Sequence, residues 1–310
     1  MTGVFIIAVS LAALAALFVS SFFLADAAEK AAPPLGRTVS VDGQEIHVLE
    51  LGPTESDKPP VVLIHGASAN LRDMKIALGD ALAEERRVIL IDRPGRGYST
   101  RPPGGYRLDV QARYIKGAVD ALGVERPVVI GQSFGGGVAL SYALQYQDEM
   151  SGLFLFAPVS HEWPGGIAWY NSASNTPVLG FILRRLIIPS YGLLVARRGA
   201  DEAFSPEPAP QDYVARSGLS LLFRPAAFKA NAEDIAHLKS EIVKQQDKYA
   251  SLSLPLGIAT GDADTTVSPT IHSKTLAQEV PGAVLTILPD VGHASHHGRA
   301  ALVKAFLADL

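Results

Sequence analysis

The 310-residue sequence contains no cysteine. Disulfide bonds, thiolate metal sites and a cysteine nucleophile are therefore excluded, while the redox compartment stays open. An excess of basic residues is also missing, since 27 Lys and Arg stand against 31 Asp and Glu and give a formal net charge of -4. Such a chain has no net positive charge to attract nucleic acid, so we expect no nucleic-acid partner. The 48% hydrophobic and 19% charged composition is typical of a packed globular protein.

The N-terminal segment has no charged residue from Val4 to Leu24. About 20 apolar residues are enough to cross a bilayer, so we predict a single-pass transmembrane anchor over residues 1–24 and a membrane as a partner. The alternative is a cleaved signal peptide, with export after cleavage among the small residues near Ala27. Lys30 and Arg37 follow the segment and weakly favour a cytoplasmic catalytic domain, which leaves the side of the membrane open.

The remainder of the chain alternates short apolar runs with segments of helical periodicity. Two prolines and a glycine interrupt residues 25–37, which we expect to form a linker. The alternation over residues 38–157, resumed over 255–310, predicts an α/β domain with a largely parallel sheet covered on both faces. It stops over residues 158–254, interpreted as a lid inserted across the sheet's carboxyl edge. Apart from an entry hairpin, the expected strands cover residues 61–64, 88–91, 128–130, 153–156, 255–260 and 283–288.

A serine stands where a strand is expected to meet a helix. Residues 131–135, Gly-Gln-Ser-Phe-Gly, follow the apolar strand 128–130 and precede the helical run 137–146. This is G-x-S-x-G in the context that the motif requires, because a sharp turn presents the serine and small flanking residues let strand and helix approach. The helix N-terminus adds a positive dipole and free N–H groups. Ser133 is therefore the candidate nucleophile.

A serine hydroxyl needs a base to take its proton, so a histidine is expected later in the chain. His293 follows the predicted strand 283–288, in a loop at the sheet's carboxyl edge. His296 and His297 compete with it, but they lie at the start of the final predicted helix, where an exposed polar histidine is the ordinary expectation. His293 is the candidate base. The other histidines considered follow no strand: His161, His237 and His272.

The acid that orients the histidine is expected after the strand 255–260. Asp262 and Asp264 both follow it, and either carboxylate can turn toward the imidazole. Asp262 lies nearer the strand, where an aspartate commonly braces a turn. Asp290 is a third, weaker candidate. The order Ser, Asp, His along the chain agrees with a serine hydrolase built on a parallel sheet.

An oxyanion hole requires two N–H donors aimed at the developing negative charge. Phe134 supplies one by its position directly after the serine. The second is expected from Ala67, in the loop that follows the strand 61–64. His65 in the same loop is interpreted as a structural brace, and Gly66 lets the backbone approach a substrate closely.

These residues resemble the successive signatures of lid-bearing α/β-hydrolases. The resemblance spans about residues 38–310 and implies an α/β-hydrolase fold, with a mostly parallel central sheet, helices on both faces and an inserted, mainly helical lid. In that family the acid commonly stands third after a glycine, and the histidine follows a glycine, so Ser133, Asp264 and His293 inherit the catalytic roles. The motifs occupy residues 65–70, 92–99, 131–136, 261–264 and 292–293.

The function that this resemblance implies is hydrolysis of a small-molecule ester by a serine enzyme, without cofactor or metal. Serine at the nucleophile position argues against the dehalogenase and epoxide-hydrolase branches, whose nucleophile is a carboxylate. Serine members of the family also include carbon–carbon bond hydrolases and cofactor-free perhydrolases, or haloperoxidases, which are the alternative enzymes. A catalytically idle ligand-binding protein is the alternative of another class. An apolar lid favours an apolar acyl part, but the substrate-binding residues and the oligomeric state stay unassigned.

Overall fold

The computed structural model describes residues 2–310 and contains one eight-stranded sheet. The strand order is β1-β2-β4-β3-β5-β6-β7-β8; β2 pairs antiparallel with β1 and β4, and every other pairing is parallel. The expected mostly parallel sheet is therefore confirmed. The strands are β1 (Arg37–Val41), β2 (Gln44–Leu51), β3 (Val61–Ile64), β4 (Val88–Ile91), β5 (Val128–Gln132), β6 (Gly152–Phe156), β7 (Leu256–Gly261) and β8 (Val284–Leu288).

Helices cover both faces of the sheet because alternate strand residues point to opposite sides. Val62 and Ile64 of β3 pack in one apolar cluster, whereas Val61 and Leu63 pack in another on the opposite face. The helices are α1 (Thr2–Ala31), α2 (Leu71–Met74), α3 (Asp80–Leu82), α4 (Leu108–Ala121), α5 (Phe134–Tyr146), α6 (Trp169–Ser174), α7 (Pro177–Ile182), α8 (Ile188–Phe204), α9 (Tyr213–Arg216), α10 (Pro225–Gln245), α11 (Thr275–Glu279) and α12 (Ala300–Ala308).

The strand order reverses beside β3. The chain passes from β3 to β4 on one side and then returns to add β5 on the other side. In open α/β sheets such a reversal opens a crevice at the carboxyl ends of the strands, where ligands bind. The loops after β3 and β5 meet at this crevice, which is where the candidate oxyanion donors and the candidate nucleophile were expected.

The N-terminal helix is longer than the sequence indicated. The linker expected over residues 25–37 is helical as far as Ala31, because the alanines, glutamate and lysine there are good helix formers. Pro33 and Pro34 then end it. The helix is apolar and mostly exposed, and its stretch Val4–Ala31 is long and apolar enough to cross a membrane.

The interval between β6 and β7, where the lid 158–254 was expected, is mainly helical. Its longest apolar element is one continuous helix, Pro177–Phe204, made of α7, a π-type turn and α8. The end of α1 packs against it: the rings of Phe18 and Phe181 lie 6.2 Å apart between centroids, and the Arg185 guanidinium lies 4.6 Å from the centroid of Phe22. The lid and the end of α1 are therefore in direct contact.

Candidate active site

Ser133 occupies a strained turn between β5 and α5. Its φ of 52° and ψ of -118° lie in a region that residues with a Cβ seldom adopt, which costs about 1–3 kcal/mol. Gly135 is required beside it, since a Cβ there would lie 2.4 Å from the carbonyl oxygen of Ile64 and 2.5 Å from that of His65. Only a glycine lets α5 begin directly against β3, and this close approach sets the direction of the serine.

The structure brings Ser133, His293 and Asp264 into one chain of hydrogen bonds. His293 Nε2 lies 2.9 Å from Ser133 Oγ, and His293 Nδ1 lies 2.8 Å from Asp264 Oδ2. The carboxylate can accept only from a protonated Nδ1, so the neutral ring presents an unprotonated Nε2 to the serine hydroxyl. In this tautomer the imidazole is ready to take the serine proton.

The three aspartates considered for the acid differ sharply in their contacts. Asp264 uses its second oxygen, Oδ1, to accept from the backbone N–H groups of Thr266 and Val267, at 2.8 and 2.9 Å. These bonds hold Oδ2 toward His293. Asp262 instead accepts from the N–H of Asp290 at 2.8 Å, which is the loop-bracing role weighed against it. Of the three, Asp264 alone contacts the imidazole.

His296 and His297 bind a carboxylate that the sequence did not single out. Their Nε2 atoms lie 2.9 Å from the two oxygens of Asp73, and the hydroxyl of Tyr213 donates to the same group at 2.9 Å. Burial raises the pKa of Asp73, but the two histidines outweigh that effect and hold the pKa well below its usual range. This buried cluster joins α2, the lid and the loop of His293, so the two competing histidines have a structural partner.

The two candidate oxyanion donors flank Ser133. Phe134 is the first residue of α5, where an N–H has no acceptor within the helix. Ala67 lies in the loop after β3, which packs against the elbow; a Cβ on Gly66 would lie 2.1 Å from Gln132 Oε1. Both residues lie beside the turn of Ser133, and the catalytic roles of both N–H donors stay predictions.

The candidate nucleophile is buried. The turn was expected to present Ser133, but only 7% of its surface is accessible. The lid chain reaches the loop of His293, where Ala294 N–H donates to the carbonyl of Ala203 at 2.9 Å. The lid therefore contacts the loop that carries the candidate base.

Two further histidines are buried in neutral form. Burial, followed by the charge of Arg93, lowers the pKa of His65 to about 3. Burial and the neighbouring His161 lower the pKa of His272 to about 4, and His272 Nδ1 lies near the N–H groups of Ser160 and His161, at 3.3 and 3.2 Å. Neither ring contacts Ser133, which agrees with the expectation that His65 braces its loop.

These lowered pKa values predict acid sensitivity of the fold. The unfolded histidines titrate near 6.5, so between about pH 6.5 and 4 the unfolded chain binds more protons than the folded one and stability falls as pH falls. Each histidine contributes a slope of up to about 1.4 kcal/mol per pH unit. Urea unfolding between pH 6.5 and 4.5 measures this dependence of stability on pH. His272→Gln keeps an acceptor and should flatten the slope; an unchanged slope would contradict the assignment.

The comparisons with known proteins agree with the fold. A sequence model of the alpha/beta hydrolase fold matches residues 59–300. The chain belongs to the α/β-hydrolase family. Over 291 residues it is 28% identical to 2-hydroxymuconate semialdehyde hydrolase of Pseudomonas putida, covering 91% of this chain and 97% of that protein.

Two solved structures illustrate the shared fold. The enol-lactonase from Burkholderia xenovorans LB400 superposes with a TM-score of 0.68 at 21% identity, over 88% of this chain and 97% of that one. A membrane phospholipase A, described as a bacterial virulence factor, superposes with a TM-score of 0.69 at 23% identity. That match covers 100% of this α/β-hydrolase and 99% of the other chain, so it includes α1.

Proposed function

We propose that this α/β-hydrolase is a serine esterase that works through an acyl-enzyme. The observation that supports it is the hydrogen-bond chain from Ser133 through His293 to Asp264. His293 Nε2 takes the serine proton as Oγ bonds to the carbonyl carbon, and Asp264 stabilises the imidazolium that forms. The N–H groups of Ala67 and Phe134 hold the negative oxygen.

The second half of the reaction reuses the same groups. The imidazolium donates its proton to the departing alkoxide, which leaves as an alcohol and completes the acyl-enzyme on Ser133. His293 then takes a proton from water, whose oxygen attacks the acyl carbon, and returns that proton to Ser133 Oγ as the carboxylic acid leaves. No cofactor is needed for this sequence.

We further propose that the acyl part is long and apolar and that the protein is attached to a membrane by α1. Phe18 belongs to the apolar stretch of α1 and packs on Phe181 of the lid, which would place the lid at the bilayer surface. The whole-length similarity to a membrane phospholipase A supports this substrate class. Exposed apolar side chains are plentiful on the lid: Trp169, Tyr170, Val178, Leu179, Phe181, Ile182, Ile187, Tyr191, Leu193 and Leu194.

A second candidate function is hydrolysis of a carbon–carbon bond in a dienoic ring-cleavage product. The similarity to 2-hydroxymuconate semialdehyde hydrolase extends over nearly the whole chain and favours it. The site residues alone do not separate the two reactions, because both use a base, an oxyanion hole and a nucleophilic serine. The anchor and the apolar lid surface favour the ester.

Substrate profiling tests the proposal. The full-length protein in detergent is expected to hydrolyse p-nitrophenyl esters with a preference for longer acyl chains, and to release fatty acid from phosphatidylcholine vesicles. Ser133→Ala is the matched control for background hydrolysis. Rapid turnover of 2-hydroxymuconate semialdehyde with slow ester cleavage would favour the second candidate, and no turnover of either substrate would contradict both.

Attachment to the membrane by α1 leads to a separate prediction. The expressed protein should sediment with membranes, resist extraction by high salt and retain residues 1–24, because an uncleaved apolar helix inserts effectively irreversibly. N-terminal sequencing of the purified protein provides the measurement. A mature N-terminus near Ala28 on a protein that stays in the supernatant would instead identify α1 as the source of a cleaved signal peptide.

A further inference from the structure

The peptide group between Gly66 and Ala67 is held at its carbonyl end. Its oxygen lies 2.9 Å from His65 Nδ1 and accepts from Arg93 Nη2 at 3.1 Å. In a planar trans peptide the C=O and the next N–H point in opposite directions. Two donors that fix the carbonyl therefore also fix the direction of the Ala67 N–H, the candidate oxyanion donor.

The tautomer of His65 follows from its partners. The backbone N–H of Arg93 donates to His65 Nε2 at 3.0 Å, so this nitrogen carries no proton. The proton of the neutral ring then resides on Nδ1 and is donated to the Gly66 carbonyl. Hydrogen bonds in series polarise one another, so donation to the carbonyl strengthens the Ala67 N–H as a donor.

Arg93 is itself held by the lid. Its Nε donates to the His65 carbonyl at 2.9 Å, and its Nη1 forms an ion pair with Asp234 Oδ2 at 2.9 Å, with both side chains fully buried. Its guanidinium also lies 4.3 Å from the ring centroid of Phe134, the other candidate oxyanion residue. Asp234 belongs to α10 of the lid, so a lid carboxylate fixes the cation that orients the loop.

The surrounding charges explain why Asp234 is needed. Arg96 is also buried, and burial together with the charge of Arg93 lowers the pKa of Arg96 to about 9. Arg101 approaches within 2.8 Å of the second oxygen of Asp234. A buried guanidinium without its partner would turn toward other acceptors or draw in water, and the Gly66 carbonyl would then lose its alignment.

A second lid residue on the same helix acts on the next peptide of the loop. Asn231 Oδ1 accepts from the backbone N–H of Ser68 at 2.7 Å, and Asn231 is buried. The loop from Gly66 to Ser68 is thus tied to α10 at two successive points. One turn of a helix separates Asn231 from Asp234, so a rigid shift of α10 moves both ties together.

We propose that Asp234 is a positioning residue of the oxyanion hole, which acts through Arg93 to aim the Ala67 N–H at the developing oxyanion. The proposal rests on the proposed serine-hydrolase function. It assigns the lid the task of completing the oxyanion hole. A shift of α10 away from the core would release both ties and weaken the oxyanion hole.

The test compares Asp234→Asn with Glu233→Gln in the full-length protein. Glu233 is the adjacent carboxylate on α10 and pairs with Arg101 and Lys229 at the surface, so its neutralisation is the matched control. A misplaced oxyanion donor costs about 100-fold in kcat. We expect Asp234→Asn to lower kcat by about that factor with KM changed less than about three-fold. Glu233→Gln should stay within a factor of about two.

A structural role alone would not reproduce one further readout. Trifluoromethyl ketones form a hemiketal oxyanion on the serine, so their affinity should fall in Asp234→Asn by the same factor as kcat/KM, while affinity for the carboxylic acid product stays unchanged. Active sites are counted first with a fluorophosphonate, which corrects for misfolded molecules. Equal effects of the two variants on ketone affinity would overturn the proposal.

A second variant covers the case in which Asp234→Asn fails to fold. Asn231→Ala removes the acceptor of the Ser68 N–H and leaves no buried charge unpaired. We expect about a five-fold loss in kcat and the same loss in ketone affinity, since the bond to the Ser68 N–H is lost together with the longer bond from Asn231 Nδ2 to Ser68 Oγ, at 3.3 Å. An unchanged ketone affinity in this variant would overturn the proposal. Wild-type protein without turnover or fluorophosphonate labelling would instead refute the proposed function, before any variant is compared.

Discussion

Ser133→Ala is expected to abolish hydrolysis, with a loss of kcat of about 10⁶-fold and the fold intact. The substitution removes the one oxygen that would form the acyl-enzyme. The backbone of the elbow has no reason to change, because alanine has the same Cβ in the same strained turn. The residual rate would come from the oxyanion hole and from binding alone.

Hydrolysis of a p-nitrophenyl ester and a thermal melt followed by circular dichroism measure the two parts of this expectation. A fluorophosphonate should add once to the wild type, at Ser133, and not at all to Ser133→Ala. Ser68 and Ser99 lie in the neighbouring loops and are the alternative targets. Ser99 Oγ already donates to the Asp92 carbonyl at 2.6 Å, which opposes its use as a nucleophile. Labelling at either serine, or full activity of the variant, would refute the assignment.

The sequence predicted the features whose cause is local. β3 and β4 begin and end where their apolar runs do, and α5 follows β5 directly after Ser133, because strand, turn and helix signals lie side by side there. His293 and the pair Asp262 and Asp264 could be proposed because each follows a strand of a parallel sheet, and carboxyl ends of parallel strands meet at one edge. The choice of Asp264 over Asp262 came from the resemblance to α/β-hydrolases. That Asp264 and His293 form a hydrogen bond follows from the order of the strands in the sheet.

The features that the sequence could not predict depend on distant contacts. Asp73 lies on α2, far along the chain from His296 and His297, and no pattern near it distinguishes it from a surface aspartate. Asp234 lies in an amphipathic helix where a charged residue is usually solvated, and its burial follows from the position of Arg93. The same limit applies to the burial of Ser133, since it depends on the residues that pack around the turn.

Asp264→Asn is expected to lower kcat by about 10⁴-fold while the fold persists. The amide presents either an oxygen or an N–H₂ group to His293 Nδ1. Thr266 and Val267 both donate to Oδ1 and so favour an oxygen at that position. The amide nitrogen then takes the place of Oδ2 and donates to Nδ1, which forces the imidazole proton onto Nε2. In that tautomer the ring cannot accept the proton of Ser133.

Asp262→Asn and Asp290→Asn are the matched controls for this prediction. Asp262 accepts from the N–H of Asp290, and its asparagine variant keeps an oxygen for that bond. Each control removes at most one loop hydrogen bond, about 1 kcal/mol, so we expect less than about a five-fold change in kcat. Only the loss of Asp264 also withdraws the charge that stabilises the imidazolium formed in the reaction, so only that variant should be severe.

The losses of activity caused by removing these three groups should also be non-additive. His293→Ala is expected to be about as damaging as Ser133→Ala, and the double variant hardly worse than either, because the serine proton has no acceptor once the imidazole is gone. Additive losses would mean that Ser133 and His293 act in separate steps. If Asp262→Asn proved the severe change, the acid would move by two residues and the serine mechanism would stand. If none of the three aspartates mattered, a serine–histidine pair or another chemistry would have to replace the triad.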